Sequence, residues 1–180
     1  GKTTLLDSFC GLIHKNSSKW EIENNKKLYK FQGDYGYLIL KEFIGYTTQD
    51  TFLFEGSILE NLFLRNESLI TKKEKNYIYE LFKNLSLDSI LKRPKGYNHI
   101  FNLSREALSG GETKRFGIAR TILQNKPIEV YDEPTANLDD KNSILISRLL
   151  KKRSEEKFIL IATHDNNLIS YADKIIELNK

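Results

Sequence analysis

Ile128-Glu129-Val130-Tyr131-Asp132-Glu133-Pro134, continuing into Thr135-Ala136-Asn137-Leu138-Asp139, is the stretch on which the reading of this chain turns. Its opening is rich in β-branched and aromatic residues, which reads as a strand, and Pro134 ends it in a turn. Two carboxylates, Asp132 and Glu133, stand together where the strand stops. A nucleotide-hydrolysing fold puts a Mg²⁺-side aspartate and a water-activating carboxylate at such a point, with Asp132 in the metal's shell and Glu133 polarising the water. Taken alone, the segment reads equally well as a strand end with two solvated acids.

Working outward, a helix is expected over residues 141–152, a strand over 158–162, a helix start near Asn166 and a last strand over 174–178. On the other side a helix runs from near Ser109 to Leu123. Strands alternating with helices at this spacing imply βαβ units and a parallel sheet. Further upstream, residues 56–92 carry helical apolar faces, while short strand-like pieces at 19–22, 27–31, 37–40 and 44–47 imply a small, partly antiparallel sheet. Leu5, Leu6, Phe9, Leu12 and Ile13 form a helical stripe, so a helix begins at the first residues. The expected fold is α/β: a mainly parallel sheet with flanking helices, a small antiparallel β region and a helical insert, to which the resemblance of Gly1-Lys2-Thr3-Thr4 to the end of a phosphate-binding loop adds the P-loop NTPase type. One domain covers 1–180, with a helical subdomain at about 56–123.

Composition narrows the class. With 180 residues, 39% of them hydrophobic and 29% charged, the chain is neither disordered nor fibrous. Its net charge of +4 comes from basic runs broken or followed by Glu, such as Lys151-Lys152-Arg153, which read as solvated helix surface, so nucleic acid is not implied. The one cysteine, Cys10, sits among apolar residues and reads as core. No apolar run approaches the roughly 18 residues that cross a bilayer. The sequence contains no Met, so its natural start is expected to lie outside these residues.

Two stretches could cradle phosphate. Gly1-Lys2-Thr3-Thr4 matches the end of G-x-x-x-x-G-K-[ST] and runs into a helix, which offers Lys2 to β/γ-phosphates, Thr3 to Mg²⁺ and free N–H groups at a helix N-terminus. Ser109-Gly110-Gly111-Glu112 opens another helix and is a second set of N–H donors, or simply an N-cap serine with two glycines. So distant in sequence, the two cradles are hard to use on one nucleotide from one chain, and easy to use if two copies face each other.

Together these stretches resemble an ATP-binding cassette (ABC) transporter ATPase. Leu108-Ser109-Gly110-Gly111-Glu112 resembles its signature motif, Asp132 and Glu133 its Walker B motif, the segment ending in Asp139 its D-loop, and Ala162-Thr163-His164-Asp165 its switch-histidine region. Gly45-Tyr46-Thr47-Thr48-Gln49-Asp50-Thr51-Phe52-Leu53-Phe54-Glu55-Gly56-Ser57-Ile58 resembles the Q-loop region of the exporter type. The resemblance implies ATP and Mg²⁺ as cofactors. It implies Glu133, His164 and Gln49 as catalytic residues and Thr3, Gln49 and Asp132 as the metal side. Gly1, Lys2, Thr3 and Thr4 would bind one nucleotide, while Ser109, Gly110, Gly111, Glu112 and Asp139 would reach a nucleotide held by a second cassette. It also implies a homodimer or heterodimer of cassettes and a transmembrane domain upstream. The setting implied is the cytoplasmic face of a membrane, bacterial plasma membrane by preference. Phe52 and Phe54 would line a groove for that membrane domain, or are ordinary core aromatics.

Three departures stand out. Glu112 replaces the usual Gln. Glu129 occupies a normally apolar strand position, where an unpaired buried carboxylate costs several kcal/mol, so a sheet edge or a basic partner is expected. The front of the phosphate loop, the strand feeding it and the adenine-stacking aromatic would precede Gly1, so the cassette is read as truncated within that loop. Two other readings share part of the pattern. One is a DNA-maintenance ATPase of the SMC-like group, which carries a long heptad insert not seen between Gln49 and Leu108. The other is a non-catalytic remnant cassette.

Overall fold

The computed structural model describes residues 1–13, 19–24, 27–64, 70–102 and 108–178. At its centre is a parallel sheet in the order β3 (Ile44–Thr47), β4 (Ile128–Asp132), β5 (Phe158–Ala162). Ile44 lies opposite Ile128, and Asp132 opposite Ala162. Every residue of β4 is buried, as a central parallel strand covered on both faces requires. Alternation along it sends Ile128 and Val130 towards one core, with Leu6 and Cys10 of α1 (Lys2–Phe9) and its C-cap, and Leu40. Tyr131 joins the opposite core with Ile118 and Ile122 of α6 (Gly110–Gln124) and Ile146 and Leu150 of α7 (Asp140–Arg153).

A hairpin of β1 (Lys19–Asn24) and β2 (Lys27–Gln32) forms the small antiparallel sheet, with Trp20 opposite Phe31. The short helices α3 (Ile58–Phe63), α4 (Lys72–Asn84) and α5 (Asp88–Leu91) precede α6. Phe116 of α6 meets Phe82 and Phe101 edge-on, at ring separations of 5.9 and 5.7 Å. Such pairs add about 0.5–1.5 kcal/mol to the burial of the rings. Reciprocal capping boxes open three of these helices: Ser57 with Glu60, Thr71 with Glu74, and Ser109 with Glu112.

Two expected strands are absent. Residues 37–40 belong to helix α2 (Gly33–Leu40), which lies against β2 so tightly that a Cβ on Gly36 would stand 2.9 Å from the Phe31 carbonyl carbon. A short apolar run has no period of its own, so tertiary packing chose its conformation. Residues 174–178 form no regular structure, and Ile175 and Ile176 are exposed. Strand propensity without a neighbouring ladder does not make a strand.

Glu129 is fully buried and it has the basic partner expected of it. Arg153 at the end of α7 grips it with two N–H groups, Nε to Oε2 at 2.9 Å and Nη2 to Oε1. The Tyr131 hydroxyl donates to Oε2 at 2.8 Å. Arg153 therefore belongs to a buried ion pair and is not part of a solvated basic run. Among the described residues no helix is long and apolar enough to cross a membrane.

Candidate functional site

The carboxyl ends of β3, β4 and β5 lie side by side, and Glu133, which follows β4, meets Lys2 at the start of α1. Open α/β sheets place ligands at this edge. Glu133 follows β4 in a left-handed conformation, φ 46°, which is rare for a residue with a Cβ and costs about 1–2 kcal/mol. Its N–H donates to the Ala162 carbonyl at 2.8 Å, anchoring the bend to the end of β5. The bend is how a strand residue turns its carboxylate out of the sheet.

Two groups converge on Glu133 Oε1: the Lys2 ammonium at 3.1 Å and His164 Nδ1 at 2.9 Å. Burial by itself would raise the carboxyl's pKa. The hydrogen bonds and positive charge of His164 and Lys2 outweigh it and hold Glu133 below the ordinary carboxylate range. The carboxylate is thus kept ionised in a nearly closed setting.

His164 itself is largely exposed, and the loop that carries it is pinned from both sides. Asp165 caps α8 (Asn166–Ser170) by accepting from Asn167 N–H at 2.8 Å, and it accepts the Ser143 hydroxyl of α7 at 2.6 Å. Beside these residues lies a pocket of about 260 Å³ lined by Glu133, Asn137, Ser143, His164 and Asp165 among others.

Asp132, fully buried, has both carboxylate oxygens without a hydrogen-bond partner. A buried polar atom left unpaired costs about 1–3 kcal/mol, more if charged, so this carboxylate is a group that could take a cation. Among the described residues no cluster of three or more His, Cys, Asp or Glu side chains could hold a metal alone. That suits Mg²⁺, which uses one or two carboxylates, several waters and phosphate oxygens. The N-terminus of α1 adds the phosphate side. Gly1 is its N-cap without any side-chain cap, leaving the N–H groups of the first turn for an anion, with Thr3 and Thr4 exposed beside Lys2.

Gln49 lies just past the end of β3 with its side chain exposed, and its backbone carbonyl accepts from the Lys114 ammonium. Lys114 also reaches the Asp132 carbonyl at 3.5 Å. Burial pushes the Lys114 pKa down, against the pull of Asp132, Asp50 and Glu133. Reading the sequence for motifs passes over this lysine. Its signal is position: Lys114 lies one turn before Ile118 and two before Ile122 on the buried stripe of α6.

The structure does not bring Ser109, Gly110, Gly111 and Glu112 to Lys2 or Glu133 by any described contact. Ser109 is engaged with Glu112 instead. Its N–H and hydroxyl donate to Glu112 Oε2 at 2.9 and 3.0 Å, and its hydroxyl accepts from Glu112 N–H at 3.2 Å. Asp139 caps α7 by accepting from Asn142 N–H at 2.8 Å, and that bond holds its carboxyl below the ordinary range. Phe52 is the most exposed large apolar residue among those described, whereas Phe54 is half-buried.

A parallel α/β sheet, a Gly-Lys-Thr helix start and a buried acidic pair at the strand ends define a P-loop-type nucleotide-binding domain. The chain belongs to the ABC transporter family, whose model matches residues 1–136. It is 32% identical over 180 residues to the pediocin PA-1 transport/processing ATP-binding protein PedD of Pediococcus acidilactici, covering 99% of this chain and 24% of that protein. It is 27% identical over 180 residues to the ATP-dependent lipid A-core flippase of Aliivibrio fischeri, covering all of this chain and 30% of that one. The chain therefore spans about a quarter to a third of the length of these relatives. Among solved structures it resembles the ATP-binding cassette MJ0796 in a dimeric post-hydrolysis state bound to ADP and Pi. The TM-score is 0.69 at 26% identity, covering 96% of this chain and 74% of that one.

Proposed function

We propose that this chain is the ATP-binding and hydrolysing motor of an ABC exporter, working in a pair of cassettes on the cytoplasmic face of a membrane and coupled to a transmembrane domain. The observation that carries the reading is the corner where Lys2 and His164 hold Glu133 ionised beside the unpaired, buried carboxylate of Asp132. Mg²⁺-ATP, when bound, supplies the bond to be cleaved and a cation that draws charge from its oxygens. Gly1, Lys2, Thr3 and Thr4 hold phosphate at the N-terminus of α1, with the Thr3 hydroxyl on the metal side. Asp132, with Thr3 and Gln49, would hold the metal side, Gln49 from just past the end of β3.

Glu133 then accepts a proton from the attacking water. Its Oε1 is taken by Lys2 and His164, and Oε2 is engaged by no described residue and is available to that water. His164 keeps the carboxylate oriented. Ser109, Gly110, Gly111, Glu112 and Asp139 act on the nucleotide of the facing cassette, for which Ser109 exchanges its Glu112 contact for phosphate. The helical subdomain at about 56–123 carries this second cradle. The relatives PedD and the lipid A-core flippase support transport as the work of the whole protein, and the exporter-type Q-loop stretch at Gln49 supports export as its direction.

Glu133→Gln tests the assignment. The amide keeps the shape and cannot take a proton, so turnover should fall by about 10²–10⁴-fold while Mg²⁺-ATP affinity stays within a few-fold. Undiminished turnover removes Glu133 from the role.

A further inference from the structure

We infer that Lys114 is a positioning residue that fastens the Gln49 backbone to the carboxyl end of β4, and so ties helix α6 to the metal side of the nucleotide site. The second half of this inference rests on the function proposed above; the first half stands on geometry alone. Residues 48–53, just past β3, lie in no strand ladder, and buried or half-buried carbonyls need partners. Helix α6 supplies them with cations. The Lys114 ammonium donates to the Gln49 carbonyl, and Arg120 Nη2 donates to the Phe52 carbonyl at 3.0 Å. Just before them, the Thr47 hydroxyl meets the Thr121 hydroxyl at 2.7 Å and the Gly117 carbonyl at 3.3 Å. The loop from Thr47 to Phe52 is therefore laced along one face of α6.

Arg120 also reaches a second element, its Nε donating to the Asn61 carbonyl of α3 at 2.8 Å; Lys114 is the tie that reaches the end of β4. Its ammonium also lies 3.5 Å from the carbonyl of Asp132, the residue whose carboxylate oxygens are unpaired. The residue is only 7% exposed. A buried ammonium is an expensive way to fill space, and an apolar side chain of similar length would pack there at lower cost. A lysine in this place makes sense if its three N–H donors are needed to hold two backbones at a fixed separation. Because α6 begins at the Ser109 cradle, Lys114 links that helix to the point where the Gln49 and Asp132 backbones are held together.

The test uses the protein in its natural full-length form with Lys114→Met, which keeps the apolar stem, and Lys114→Arg, which keeps the charge and donors. The first readout needs no nucleotide. The carbonyl ¹³C resonance of Gln49, selected through the Gln49-Asp50 pair, should move in Lys114→Met and return towards its parental position in Lys114→Arg. The second readout is Mg²⁺ dependence at fixed ATP. Lys114→Met should raise the Mg²⁺ concentration for half-maximal binding by about tenfold, in the range found for outer-shell changes, with Mg²⁺-free ATP affinity unchanged. Lys114→Arg should recover most of that loss.

An unmoved Gln49 resonance, an unmoved Mg²⁺ dependence, an equal loss of ATP affinity with and without Mg²⁺, or an Arg variant as defective as the Met variant overturns the inference. If the parent protein binds no nucleotide, the functional reading falls and with it the link to the metal side. The Gln49 resonance then still decides whether Lys114 holds that loop.

Discussion

Replacing Arg153 by Met leaves the fully buried Glu129 carboxylate with the Tyr131 hydroxyl as its only described partner. An ion so placed has two courses. It can stay charged without its counterion, which for a broken buried pair costs about 3–5 kcal/mol. Or it can take up a proton in the folded state. Protonating a glutamate of ordinary pKa, about 4.3, at pH 7 costs about 3.7 kcal/mol at 1.36 kcal/mol per unit. Protonation therefore caps the electrostatic part of the loss near 4 kcal/mol, a large share of the 5–15 kcal/mol that holds a domain together. The sign of the pH dependence follows. In the variant the folded state binds a proton that the unfolded state releases above about pH 4.3, so the penalty grows with pH and shrinks to about 1 kcal/mol at pH 5. Urea unfolding of parent and variant at pH 5 and pH 7 measures both values. Glu129→Leu combined with Arg153→Met and Tyr131→Phe removes both charges and the hydroxyl that donates to Glu129, and should lie within about 1 kcal/mol of the parent, or above it. A loss under 1 kcal/mol at pH 7, or one that does not shrink at pH 5, would refute the view that an uncompensated charge is the cause.

Three further outcomes are expected. Burial, with Asp7 nearby, pushes the Cys10 thiol from 9.0 up to about 12; it should resist thiol reagents at pH 8 until the protein unfolds, and stability should fall as pH rises from about 9 towards 12, where only the unfolded thiol ionises. A Cβ on Gly117 would stand 2.2 Å from Thr51 Oγ1, so Gly117→Ala should cost about 1–3 kcal/mol in chemical unfolding, and adding Thr51→Ala should recover much of it. Without Mg²⁺, Asp132→Asn should unfold at the same temperature as the parent or higher, since it removes a buried unpaired carboxylate; with Mg²⁺ and ATP present, the parent should gain several degrees that the variant does not.

Local chemistry wrote much of the site into the sequence. Gly1-Lys2-Thr3-Thr4 needs only to start a helix to offer N–H groups to an anion, and Asp132 and Glu133 need only to end a strand to stand at the edge where ligands bind. The alternation of strands and helices after Ser109 likewise implied the parallel pairing of β4 with β5, whereas residues 44–47, read as part of the small sheet, join the parallel sheet as β3 beside β4. What the chain does across space was decided elsewhere. The run at 37–40 carries no period that separates strand from helix, so its packing on Phe31 set it as the end of α2, and the apolar residues at 174–178 remained irregular without a ladder. Charge partners are equally invisible in one dimension. Arg153 sits in a basic run that reads as solvent-facing, yet the return of α7 over β4 brings it to Glu129, and the crossing of α6 over β3 brings Lys114 to Gln49. Sequence determines which groups can donate, accept or carry charge within a turn or two of backbone; only the folded chain determines which of them, 24 or 65 residues apart, come within hydrogen-bonding distance, because that depends on how whole elements pack and not on the neighbours of either residue.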